Sequence, residues 1–228
     1  MQRNVFNNIA SIYDEALPSH ISRHYLEKRV DFFSRYLRPN FKILDVGCGT
    51  GKIIVKLSEN SNLKVYGCDS SLEMLKNISN RSNLQITCCL SDRLPYMVDT
   101  FDLIISVAVF HHLSSKEVAL RTIHDMIRVV KKGGRIIIWD ANPWNPYWQL
   151  LFKRVLHDKD VKKILPLKKI IYELKKLNLT DITIFKSGWV PDFAPKNLSY
   201  FFNLFEYIME RLPIIKLFSA HNVIVFTK

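Results

Sequence analysis

The stretch Phe41-Lys42-Ile43-Leu44-Asp45-Val46-Gly47-Cys48-Gly49-Thr50-Gly51 runs from apolar residues through an acid into alternating glycines. An apolar run that meets glycines at once predicts a buried strand feeding a tight turn into a helix. Glycine has no Cβ and tolerates positive φ, so such a turn lets the backbone approach a ligand closely. The spacing Gly47-x-Gly49-x-Gly51 is one residue shorter than the dinucleotide fingerprint. Nor is it a phosphate loop, because Gly51-Lys52 is followed by Ile53 rather than by a hydroxyl residue.

Outward from this turn, apolar runs suited to strands alternate with helical patterns. The strands are predicted at Phe41–Val46, Leu63–Asp69, Leu84–Cys89, Phe101–Val107, Arg135–Ala141, Asp181–Lys186 and Asn222–Thr227. Helical stretches lie at Gly51–Ser58, Leu72–Asn80, Lys116–Val130 and Lys162–Leu177. Strands joined by helices and apolar on both faces predict a largely parallel sheet covered on both sides. Ligands of such sheets sit beyond the carboxyl ends of the strands. Three segments stand outside the alternation: Met1–Pro39, Asn142–Asp160 and the aromatic insert Ser187–His221. An insert this long, between two strands, is uncommon unless it is functional.

Composition narrows the class. A chain of 228 residues, 48% hydrophobic and 12% aromatic, builds a full core and is neither disordered nor fibrous. It is expected to form a single domain over 1–228: N-terminal lid helices (1–39), a cofactor-binding half (40–142) and a substrate-side half (143–228) with the insert at 187–221. The first thirty residues lack the apolar core of a signal peptide, and no apolar run reaches the ~18 residues of a spanning helix. The four cysteines, Cys48, Cys68, Cys88 and Cys89, have no zinc-ligand spacing, so no metal is expected and they are taken as reduced thiols. These features predict a cytoplasmic protein. The net charge of +12 is concentrated in Leu151–Leu177, which suits a solvated helix face, an anionic membrane surface, nucleic acid or a phosphate-bearing substrate.

Asp69 ends the second strand, placed as the acid that accepts ribose hydroxyls in nucleotide-binding sheets. Asp45 would repel phosphates but would accept from an ammonium, so a nucleoside with a zwitterionic tail fits better; S-adenosyl-L-methionine is such a molecule. At this point a family resemblance enters. Ile43-Leu-Asp-Val-Gly-Cys-Gly-Thr-Gly51 resembles the first motif of class I S-adenosylmethionine-dependent methyltransferases. Gly67-Cys-Asp-Ser-Ser-Leu-Glu-Met-Leu75 resembles their second. Phe101-Asp-Leu-Ile-Ile-Ser106 and Val130-Lys-Lys-Gly-Gly-Arg-Ile-Ile-Ile138 resemble their fourth and fifth strands. Phe6-Asn-Asn-Ile-Ala-Ser-Ile-Tyr-Asp14 resembles the lid helix of the quinone-biosynthesis methyltransferases.

The resemblance implies an α/β fold with a seven-stranded Rossmann-like sheet, order 3-2-1-4-5-7-6 with strand 7 antiparallel, helices on both faces and the insert between strands 6 and 7. It places Asp45, Gly47, Cys48 and Gly49 around the methionine end, Asp69 on the ribose, and Ser70 and Met74 near the adenine. Tyr13 belongs to the lid, and Ser106 ends the fourth strand beside the cofactor. Where relatives carry Asp or Asn for the adenine amino group this chain has Leu90; Ser91 and Asp92 remain close, so the contact is expected from the backbone or from Asp92. Candidate bases are His112 first, then His111 and Asp140, at the ends of the fourth and fifth strands. Asn142-Pro-Trp-Asn-Pro-Tyr147 looks like an adenine-methyltransferase motif but follows the wrong strand, so it is expected to be a rigid turn.

The expected activity is methyl transfer to a small-molecule or lipid- or glycan-linked acceptor at oxygen, with peripheral contact at the inner face of an anionic membrane. The insert, with helical spacing over Asn197–Leu212, would cap an apolar acceptor. The alternatives are a tRNA-modifying methyltransferase, suggested by the likeness of Ser106-Val-Ala-Val-Phe-His-His-Leu113 to wobble-uridine enzymes, and a non-catalytic S-adenosylmethionine-binding protein. Oligomeric state is not legible.

Overall fold

The computed structural model describes residues 2–146, 167–177 and 179–228. Its centre is a seven-stranded sheet in the order β3-β2-β1-β4-β5-β7-β6. The strands are β1 (Lys42–Val46), β2 (Lys64–Asp69), β3 (Leu84–Cys88), β4 (Phe101–Val107), β5 (Val130–Ala141), β6 (Thr180–Ser187) and β7 (His221–Thr227). β1 pairs in parallel with β2 and β4, and β7 runs antiparallel to both β5 and β6. Order and orientation are those that the family resemblance implied.

Alternation along each strand divides the core. Leu44, Ile104, Ile138 and Phe226 point to one face, where α5 (Lys116–Val129) and α6 (Leu167–Lys176) cover them with Ile123, Met126, Ile170 and Leu174. Ile43, Ile105, Trp139 and Val225 point to the other. There α2 (Ser19–Ser34) supplies Phe32 and Phe33, and α3 (Lys52–Leu57) supplies Ile54 and Leu57. Strands sealed on both faces tolerate almost no polar residue, so the polar ones collect at the carboxyl ends.

Three elements differ from expectation. β5 begins at Val130, five residues before Arg135, because the strand resumes pairing with Phe101 across an irregularity in β4. The helix predicted at Leu72–Asn80 is the single turn α4 (Leu72–Leu75), capped by Ser71 and followed by bends. Of the basic stretch Leu151–Leu177, residues 151–166 lie outside the described residues; the remainder is α6, which buries Ile170 and Leu174 and exposes Lys175 and Lys176. No helix among the described residues is long and apolar enough to cross a membrane.

Candidate active site

The chain leaves β1 through Gly47, Gly49 and Gly51, all at positive φ. The N–H groups of Gly47 and Cys48 both donate to the Cys68 carbonyl, at 2.8 and 2.9 Å, which ties the turn to the end of β2. The first two glycines serve different ends. A Cβ on Gly47 would stand 2.3 Å from Val109 Cγ2, so packing excludes it, whereas a Cβ on Gly49 would meet nothing within 4 Å. Gly49 therefore faces open space, where a ligand can approach the backbone. Asp69 secures this geometry. Its Oδ2 accepts from Gly49 N–H at 2.9 Å and its Oδ1 from Ser71 N–H at 2.8 Å. A carboxylate offers about four lone-pair sites, so these two bonds leave capacity for hydroxyl donors.

Beneath the turn lies Asp45, 2% exposed, whose Oδ1 has no hydrogen-bond partner. Burial, reinforced by repulsion from Asp69 and opposed by Arg29, pushes its carboxyl up to about 8. Arg29 reaches the same region from α2, with its guanidinium over the rings of Tyr25 and Trp139 at 5.7 and 5.8 Å. Its Nε is also without a partner. Burial lowers its pKa, while Tyr25, Tyr13, Asp45 and Asp140 act to hold the charge. Buried polar atoms left unpaired are costly, so an acid and a base left so beside one another mark a place for a ligand of both signs. Sequence reasoning missed Arg29. Its signal was a charged residue at helical spacing between Tyr25 and Phe32–Phe33 on the inward side of α2.

At the ends of β4 and β5 stands a second polar group. Asp140 Oδ1 lies 2.6 Å from His111 Nδ1, and the Phe110 and Ala141 N–H groups donate to Asp140 at 2.6 and 2.7 Å. Burial raises the Asp140 pKa, but His111 and the two backbone donors outweigh it and hold the carboxyl below its ordinary value. An ionised Asp140 accepts from Nδ1–H and leaves Nε2 as the basic ring nitrogen. The geometry thus favours His111 over His112. The His112 ring instead packs edge-on against Phe6 of α1 (Gln2–Ile9), with centroids 5.1 Å apart.

The comparisons with known proteins fall on this same frame. Residues 43–134 match the family model described as a methyltransferase domain. This segment is similar to the S-adenosylmethionine-dependent methyltransferases. Over 111 residues, 49% of the chain, it is 37% identical to a probable tRNA methyltransferase 9B of Mus musculus. Over 58% of the chain it is 31% identical to the tRNA (carboxymethyluridine(34)-5-O)-methyltransferase of Saccharomyces cerevisiae. The chain spans 24% of the first relative's length and 47% of the second's. A methyltransferase from Thermotoga maritima, described as a possible histamine N-methyltransferase, superposes over 100% of both chains with TM-score 0.69 at 17% identity, which shows the shared fold. The residues of the methyltransferase domain fit the cofactor. Arg29 would face the carboxylate of its methionine end and Asp45, ionised by the ammonium, its amino group; Gly49 leaves room, and Asp69 retains acceptor capacity for ribose hydroxyls.

Other residues expected in the site are placed differently. Ser106 is fully buried, and its hydroxyl donates to the Val46 carbonyl at 3.0 Å, which ties β4 to β1. Met74 is turned into the interior beneath α4, at 1% exposure. Ser91 bonds Thr122 at 3.0 Å, and Asp92 pairs with Arg121 at 2.8 Å, so both are engaged by α5. Cys48 stays at the turn, its thiol pKa raised by burial and the nearby Asp45 and Asp69. Ser70 is half-buried after β2, and its carbonyl accepts from the Cys88 thiol at 3.7 Å. The N-terminal segment lies against this end. Asn7 accepts from Ser71 at 2.6 Å, Thr50 donates to Asp14 at 2.9 Å, and Tyr13 meets Phe6 edge-on.

The insert packs against α2. Its helix α7 (Ser199–Met209) buries Glu206, which lies 2.6 Å from Lys28 and 2.9 Å from His24, both on α2. The Trp189 N–H also donates to Glu206, at 2.7 Å. The turn after β5 supports the following segment: Asn142 donates to the Leu217 and Ser219 carbonyls at 2.8 Å, and Asn145 to that of Phe218 at 2.6 Å. The rigid turn expected at Asn142 is therefore a bracket for the insert.

Proposed function

We propose that this chain is an oxygen-directed methyltransferase whose acceptor is a uridine in tRNA. The observation that carries the reaction is the His111–Asp140 pair, set at the carboxyl ends of β4 and β5 next to the cofactor turn. Support for the acceptor comes from the relatives named for carboxymethyluridine methylation and from the resemblance of Ser106–Leu113 to wobble-uridine enzymes.

When bound, S-adenosylmethionine supplies a methyl group already activated on a sulfonium. The protein's task is to align the acceptor and exclude water. Asp45 and Arg29 hold the zwitterionic end, Asp69 and Gly49 the nucleoside end, and α1 closes the cleft. His111, its ring oriented by Asp140, addresses the acceptor through Nε2. Toward a hydroxyl, neutral Nε2 takes the proton, an effect typically worth about 10²–10⁴-fold. Toward a carboxymethyl oxygen, protonated Nε2 holds the anion in place.

A second acceptor class, a lipid-linked hydroxyl, is favoured by one observation: the outward face of the insert is apolar and exposed. The two are separated by incubating the protein with methyl-labelled cofactor and a cell extract divided into RNA, lipid and small-molecule fractions. Label in a tRNA nucleoside supports the first, and label in lipid supports the second. Cofactor binding without label in any fraction leaves a non-catalytic S-adenosylmethionine-binding protein.

A further inference from the structure

We propose that the outward face of α7 and the turn that follows it dock on an anionic lipid surface. A helix on a water-facing surface normally buries its apolar residues and exposes its acids. α7 is apolar on both faces: Phe202 packs inward against Ile21, Val190 and Ala194, and the outer face is apolar as well. Glu206 is 3% exposed, while Tyr200 is 83% exposed and Phe201, Leu204 and Ile208 also face outward. The stripe recurs every three or four residues and continues into Ile214, 74% exposed.

Charge is sorted in the same way. Glu206 and Glu210 both turn inward to Lys28 on α2, at 2.6 and 2.5 Å. The nearby Asp192 also acts on Tyr25 of that helix. The basic residues Lys196 and Arg211 are exposed and Lys216 is half-buried, and Arg211 stacks over the Tyr207 ring. An apolar stripe rimmed by cations is the pattern of a helix lying in a lipid interface, where aromatic and aliphatic groups enter the acyl boundary and basic groups meet anionic headgroups. RNA would use the cations and the rings but has no use for exposed Leu204, Ile208 and Ile214. The buried pairs with α2 hold the stripe outward without any rearrangement.

The surface deepens the lipid-linked reading but is tested apart from it. The full chain is floated with phosphatidylcholine vesicles containing or lacking about 30% phosphatidylglycerol, across a salt series. Partition to the anionic vesicles is expected, fading with salt. The pair Leu204→Glu and Ile214→Asp is expected to reduce it by at least about tenfold, with circular dichroism and cofactor affinity unchanged. No partition at low salt overturns the proposal. So does partition that survives both substitutions, since cations elsewhere then carry it. Self-association or tRNA binding that these substitutions abolish also overturns it, assigning the face to a second copy or to RNA. Docking without label in the lipid fraction keeps the surface and removes the lipid-linked acceptor; label in lipid without docking does the reverse.

Discussion

Asp45 holds its proton because burial penalises the carboxylate, so its chemistry depends on what stands opposite. Its pKa is raised from 3.8 to about 8. The native state therefore keeps a proton that the unfolded chain releases. The resulting stability is fully present below about pH 4 and is lost as pH rises through about 8. An ammonium reverses the preference, because a cation nearby favours the ionised form. Cofactor binding is expected to release a proton below pH 8 and to tighten as pH rises toward it. Calorimetry in two buffers of different ionisation enthalpy measures this directly, and equal heats would remove Asp45 from the cofactor's amino group. Asp140 allows a second test. Asp140→Asn keeps the shape but cannot hold His111 as an ionised carboxylate does. Turnover is expected to fall by about 10²-fold or more, with cofactor affinity unchanged in titration. The pH profile then assigns the role of His111: loss of rate toward low pH marks a base, and loss toward high pH marks a donor to an anionic acceptor.

Single elements matter through how they are joined, and α7 is joined to α2 by buried charges. Burial raises the Glu206 pKa, but His24 and Lys28 outweigh it and bring the carboxyl to about 2. Its contribution is present above the unfolded value near 4.5 and is lost as pH falls toward 2. Glu206→Ala leaves Lys28 and the Trp189 N–H short of a partner, at a cost of about 2–4 kcal/mol. Amide exchange in Ser199–Met209 is expected to accelerate in this variant while β1 is unchanged; uniform acceleration would mean that the latch is not local. In the intact protein these pairs couple the insert to α2, so its protection should follow α2 and respond little to cofactor. The N-terminal lid differs, since it is held by contacts such as Asn7–Ser71 and Asp14–Thr50. Cofactor should protect Gln2–Ile9 strongly.

At the scale of the whole molecule, cofactor binding and folding are linked. With S-adenosylmethionine at ~100 times its Kd the native state gains about 2.7 kcal/mol. For a chain of this size that raises Tm by roughly 5–10 °C in a thermal scan. Asp45→Asn should lose most of that shift, and a full shift in the variant would contradict the clamp. The sheet, its order by resemblance and the glycine turn were legible in the sequence, because strand patterning, glycine spacing and turn chemistry are local and written within a few residues. The proximity of Gly49 and Asp69 followed from the same turn. The burial of Ser106 and Met74 was not legible, because a serine near a strand end and a helix methionine look alike whether they face a cleft or a core. The surroundings of Arg29 and of the inward Glu206 were not legible, since a charge is assigned to solvent until a distant partner is known. Only the tertiary structure decided which charges come together: His111 rather than His112 with Asp140, Glu206 with Lys28, and Arg29 within the field of Asp45 and Asp140. These partners lie far apart in the chain, and their protonation depends on burial and on side-chain direction, which exist only once the sheet has closed and α2 has packed across its carboxyl ends.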